Sequence, residues 1–293
     1  MIRKEQLVET QKKRRLRMFA IAMSTLVLIL VLGLTMPALS RATLFVLAVA
    51  TRTPTPVAGD IIPLKPITDL TSLNATVKLN VNGIINGKRT QGDLNADLTT
   101  NDQGKSKVTL TGSLLGELAT QVGGTIVGLF TPSSVDIYKV PQGLYIVLNS
   151  IYPVCVKPDN VDATAALDDV SPKSLMSMLT SSDVARGKLV GTERLNGRSV
   201  KHYVIYGDAF IAAAQKSDDP KLKAFGDALW SAEDADLYVD AKDGYPVAFH
   251  GSYSGAYEPL KFQGDFDVNI ELTDVNTNTS IDLPSSCRRP ITP

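Results

Sequence analysis

The sequence predicts an α+β domain built on an antiparallel sheet with helices on one face, preceded by one transmembrane helix. Three observations predict it. Runs of alternating apolar and polar residues recur from residue 76 to residue 273, the pattern of half-buried strands. Asn86-Gly87 and Asn196-Gly197 each join two such runs, the strongest two-residue hairpin signal. Finally, strands and helices come in blocks rather than in βαβ alternation, which leaves the antiparallel arrangement.

The N-terminal part differs in kind. The 293 residues balance 30 basic against 30 acidic side chains, but the charges are not evenly spread. Residues 1–17 carry seven basic and two acidic side chains, a balance of +5, whereas residues 60–293 carry 21 and 28, a balance of −7. A domain of that sign repels phosphate backbones, so nucleic acid is not an expected partner. Residues 18–40 are 23 positions without a charge. At about 1.5 Å per residue they reach roughly 34 Å, enough to cross a hydrocarbon core of about 30 Å. Basic residues crowd the preceding flank, so the positive-inside rule places the N-terminus in the cytoplasm and the main domain outside. A second apolar stretch ends in Ala48-Val49-Ala50, the small-x-small pattern of a signal-peptidase site. Either the leader is cut there or the helix stays as an anchor; the length of the 18–36 core favours the anchor. The expected organisation is a basic tail (1–17), the span (18–40), a Pro/Thr-rich linker (41–66), the main domain (67–284) and a C-terminal tail (285–293).

Within the domain, Val77, Leu79 and Val81 alternate with Thr76, Lys78, Asn80 and Asn82. After the Asn86-Gly87 turn, Leu94, Ala96 and Leu98 face inward, and Val108 with Leu110 continues the buried face. The glycine-spaced stretch 122–130 reads either as a flexible strand or as a loop against the core. Residues 135–139 and 144–148 form a hairpin around Pro141-Gln142-Gly143. Ser171-Pro172 opens a helix, serine as N-cap and proline at the first position, expected over residues 172–181. Strands at 187–193 and 199–206 flank Asn196-Gly197, and helices follow at 208–216 and 220–230. Strands return at 235–240, 245–254 and 262–273, the last with Phe266, Val268, Ile270 and Leu272 facing in.

Catalytic patterns fail one by one. His202 and His250 fall in strand patterns and read as half-exposed sheet residues. The run from Gly251 to Gly255 has Tyr253 where a nucleophile elbow needs serine. Gly104-Lys105-Ser106 ends like a P-loop, but Thr99 stands in place of the leading glycine. Asp265, Asp267, Asn269 and Glu271 resemble a calcium loop until Ile270 takes the place of its glycine. No enzyme activity, metal or cofactor is therefore expected. Asn74 and Asn278 head glycosylation sequons, relevant only in a eukaryotic host. Cys155 and Cys287 both lie in the exported part, where an even count suggests a disulfide.

The segment from Ser171-Pro172 to Leu179, then Gly191-Thr192-Glu193, Leu195-Asn196-Gly197 and His202-Tyr203, resembles the LppX/LprG/LprA lipoproteins of actinobacteria and, more widely, the LolA-like superfamily. Leu237-Tyr238-Val239-Asp240 and Gly244-Tyr245-Pro246-Val247 are similar to that family's later strand, turn and strand, so the resemblance spans roughly residues 70–284. It implies a curved antiparallel half-barrel whose concave face carries helices over an apolar cavity for acyl chains. The family's lipobox cysteine has no counterpart here, because no cysteine precedes Cys155, and the 18–40 span would anchor the protein instead.

The resulting expectation is a membrane-tethered binding domain for a lipid or lipoprotein, with an envelope protein as a further partner. A helix carrying Leu175, Met176, Met178 and Leu179 would cover the cavity, faced by Val77, Leu79, Phe249 and Phe266 from the strands. The rival expectation is an envelope-stress sensor or a structural domain in which those side chains fill a closed core.

Overall fold

The computed structural model describes residues 59–85, 87–115, 132–157, 172–257, 262–277 and 279–291. The expected membrane span, the signal-peptidase pattern and the 122–130 stretch lie outside the described residues, as do Ser171 and Asn278. Among the described residues no helix is long and apolar enough to cross a membrane.

Among the described residues thirteen strands form one open sheet in which every strand pairs antiparallel to its neighbours. A meander runs through β2 (Leu73–Ile85), β3 (Lys88–Thr100), β4 (Ser106–Thr111), β5 (Ser134–Val140), β6 (Gly143–Asn149) and β7 (Val154–Val156). A second block holds β8 (Arg186–Leu195), β9 (Arg198–Ile205), β11 (Ala235–Asp240), β12 (Pro246–Tyr257) and β13 (Phe262–Val275). The two blocks join where β13 lies along β2, from Phe262 opposite Ile85 to Val275 opposite Leu73. Short β1 (Asp60–Ile61) closes the edge at β8, and β10 (Leu229–Ala232) pairs with β12 beyond the end of β11. At the β8–β9 turn Asn196 and Gly197 both have positive φ, 50° and 80°, as a two-residue hairpin of the primed type requires.

Alternation assigns the faces. Ala75, Val77, Leu98, Leu237, Val239, Phe249, Tyr253, Ile270 and Leu272 point to one side. There they pack with Met176 and Leu179 of α1 (Pro172–Leu179), Phe210 and Ala214 of α2 (Gly207–Ala214) and Leu222 of α3 (Pro220–Ala228). These three helices thus sit on one face, as expected, because among the described residues only that face is apolar across both blocks.

On the opposite face, the far end of the sheet is covered by the C-terminal segment. Tyr138, Val140, Tyr145, Val147 and Cys155 of β5–β7 pack there against Ile281, Leu283 and Cys287 of the C-terminal segment. Strand β6 is consequently buried on both sides, Leu144 through Leu148 without a break. The segment is pinned by the expected Cys155–Cys287 disulfide, Cα atoms 5.1 Å apart, and by a parallel bridge between Val156 and Ile291.

Strands β1, β7 and β10 were not expected from the sequence, and β1 lies within the expected 41–66 linker. The helix expected over 220–230 stops at Ala228, and Leu229 turns to extended backbone with φ −88° and ψ 138°. The edge of β12 beyond β11 offers unpaired backbone groups, and Leu229–Ala232 takes them as β10. Leu229 is buried in this extended geometry, and its helical spacing with Leu222 did not distinguish the two. Of the expected C-terminal tail (285–293), residues 285–291 join the folded back layer through Cys287 and Ile291.

Candidate ligand site on the helix-bearing face

The helix-bearing face is not sealed throughout. Leu79 of β2, Ala96 of β3, Val108 and Leu110 of β4, and Phe266 and Val268 of β13 share its parity but are only partly buried. The ladder makes them contiguous: Val268 lies opposite Leu79, Ala96 opposite Leu110, and Leu98 opposite Val108. They form an apolar strip across four adjacent strands, β13, β2, β3 and β4. A strip of this kind retains the driving force to bury further area against an apolar body.

At one end of the strip the helices supply an aromatic cluster. Phe225 of α3 lies 5.6 Å from the ring of Tyr253 and 6.3 Å from that of Phe266. Tyr253 and Phe266 stack at 5.5 Å, while Phe210 and Phe262 close the far sides at 5.8 Å from Tyr253 and 6.1 Å from Phe266. Tyr253 is 3% exposed, and its hydroxyl has no hydrogen-bond partner. Burial pushes its phenol far above the usual tyrosine range, so the group stays protonated.

The site residues expected from sequence divide by burial. Val77, Met176, Leu179 and Phe249 are sealed in the core. Leu79, Met178 and Phe266 are partly buried; Met178 and Phe266 pack at the margin of the core, and Leu79 lies in the strip. Leu175 belongs to α1, and its side chain is outside the description. Sequence reasoning assigned no site role to the aromatics Phe210, Phe225, Tyr253 and Phe262. The signal was present for Tyr253, which stands four residues after Phe249 on the same strand face.

The histidines lie on the opposite face, half-buried in β9 and β12. His202 has Nε2 2.7 Å from Asp236 Oδ1 and Nδ1 3.3 Å from Glu193 Oε1, and its ring stacks on Tyr238 at 4.6 Å. His250 Nε2 is 3.8 Å from Glu271 Oε1. Among the described residues no group of three His, Cys, Asp or Glu side chains could hold a metal ion.

No family model and no curated protein matches the chain. Among solved structures it is similar to LprF from Mycobacterium bovis, with 13% identity, a TM-score of 0.40, and 74% of this chain and 91% of that one covered. It is also similar to a DUF1329 family protein from Desulfovibrio piger, at 8% identity and TM-score 0.23, covering 74% and 89%. A putative outer membrane lipoprotein-sorting protein domain from Vibrio parahaemolyticus gives the same values, 8%, 0.23, 74% and 89%. The architecture rests on the strand ladder itself.

Proposed function

We propose that the chain is a membrane-tethered extracytoplasmic binding protein that holds an acyl chain of a lipid or lipoprotein on its helix-bearing face. In this reading the sheet curves into a half-barrel around an apolar cavity, and residues 18–40 anchor it with the N-terminus in the cytoplasm. The observation that carries the reading is the strip of Leu79, Ala96, Val108, Leu110, Phe266 and Val268, apolar, contiguous and only partly buried. Each methylene of an acyl chain laid against it would gain about 0.8 kcal/mol on leaving water. The tether is supported by the charge step from the basic residues 1–17 to the uncharged residues 18–40.

Native mass spectrometry of the purified outer domain tests the ligand. We expect mass increments of acyl lipids that organic extraction removes. A domain that stays ligand-free, even when acyl lipid is offered at micromolar concentration, leaves the closed-core structural or sensing role. Topology is tested by a reporter fused after Pro293 that is active only outside the cytoplasm; activity of a strictly cytoplasmic reporter at that position refutes the tether.

A further inference from the structure

We infer that Tyr253 is the polar anchor of this site, donating its phenolic hydrogen to the carbonyl oxygen of an acyl ester. The inference rests on the acyl-chain reading above and adds to it the chemistry of the ligand's head.

The first ground is an unmet hydrogen bond. The Tyr253 hydroxyl is buried without a partner, an unfavourable arrangement that a phenylalanine would avoid. The aromatics that surround it, Phe210, Phe225 and Phe266, carry no such group.

The second ground is placement. Gly251 precedes Tyr253 by two residues on the same strand face, and the phenol lies back over it. A Cβ at Gly251 would stand 2.7 Å from the hydroxyl oxygen and 2.8 Å from a ring carbon. Only a residue without a side chain leaves the ring this position. Across the ladder Gly251 pairs with Val268, and Val268 pairs with Leu79. The phenol therefore lies over β12, next to the strand β13 that carries Phe266 and Val268 of the partly buried strip.

The third ground is chemical selection. Tyr253 stays protonated because burial raises its pKa, so it offers a donor. An ester carbonyl is a neutral acceptor and fits among aromatic and aliphatic side chains. A free carboxylate would have to shed its hydration there against a single hydroxyl, which disfavours it. An alkyl ether offers a chain of the same length without the carbonyl, and it separates the two contributions.

The test uses the full chain kept soluble in an amphipol and two competitors of a fluorescent acyl probe, monopalmitoyl glycerol and the matching hexadecyl glycerol ether. The unmodified chain should bind the ester about five- to tenfold more tightly than the ether, the worth of one hydrogen bond. Tyr253→Phe, which keeps the ring and its packing, should weaken the ester alone until the two are equal. Equal affinities in the unmodified chain, or a preference that survives Tyr253→Phe, overturn the anchor and leave acyl binding in place. Binding of neither competitor removes the acyl-chain reading and the anchor with it. The comparison in the unmodified chain needs no variant, so the inference stays testable if Tyr253→Phe folds poorly.

Discussion

Met176 and Met178 stand two positions apart on α1 and meet different surroundings. Met176 is completely buried among core side chains, whereas Met178 is partly exposed at the margin of that core. Methionine adapts to both, which is why residue type alone did not separate them. Enlargement does. Met176→Trp should lower stability by about 1–3 kcal/mol, since a closed core cannot take the extra volume. Met178→Trp should cost less than about 1 kcal/mol and displace bound lipid, because its ring has an open side to enter. Urea unfolding at constant m-value reads both changes. Equal losses at the two positions would place Met178 in a closed core and remove it from the proposed site.

Helix α3 shows how an element is started by local chemistry and stopped by its neighbours. Asp219 caps it, its Oδ1 accepting from the backbone N–H of Lys221 at 2.8 Å and of Leu222 at 3.3 Å, and Pro220 takes the first helical position. Its end comes where the free edge of β12 recruits Leu229–Ala232 as a strand. Because α3 carries Phe225 onto Tyr253 and Phe266, the cap supports the aromatic end of the site. Asp219→Ala should therefore destabilise the domain by about 0.5–2 kcal/mol, measured as a lower urea midpoint, with Asp219→Asn close to the unmodified chain. A midpoint unchanged in Asp219→Ala would mean that tertiary packing alone holds the helix.

For the molecule as a whole, the C-terminal segment decides how the far block of the sheet is covered. It leaves β13, accepts a hydrogen bond from Ser72 Oγ at the Thr277 carbonyl and one from Asn101 Nδ2 at the Thr279 carbonyl, and reaches β7. The Cys155–Cys287 bond then closes a loop of sequence separation 132, which on the chain-entropy model stabilises by about 5 kcal/mol. Lys107 and Lys157 lie over the rings of Tyr138 and Tyr145, at 5.5 and 5.3 Å, and finish this back layer. Cys155→Ser with Cys287→Ser should cost about 2–5 kcal/mol and make Tyr138 and Tyr145 more accessible to solvent quenchers. In protein from its native compartment both thiols should be blocked to alkylation under denaturing, non-reducing conditions and freed by reductant. Two freely alkylated cysteines would refute the bond.

Most of the strand layout was legible because its signals are local. Period-two alternation marks a strand whatever it pairs with, and Asn196-Gly197 adopts positive φ because of its own chemistry. The same alternation placed Val77, Leu79, Phe249 and Phe266 on the helix-bearing face. Beyond its reach were events that depend on a distant partner. Leu229–Ala232 becomes a strand only because β12 extends past β11, and the C-terminal tail becomes a layer only because β5–β7 present an apolar back. The unbroken run of Leu144 to Leu148 did hint at burial on both sides, but nothing local could say which segment lies behind it. The division of the inward face into a sealed core and a half-exposed strip is of the same kind. Alternation tells which way a side chain points. How much covers it depends on where α1, α2 and α3 rest on the sheet, and that is set by contacts between residues far apart in the chain.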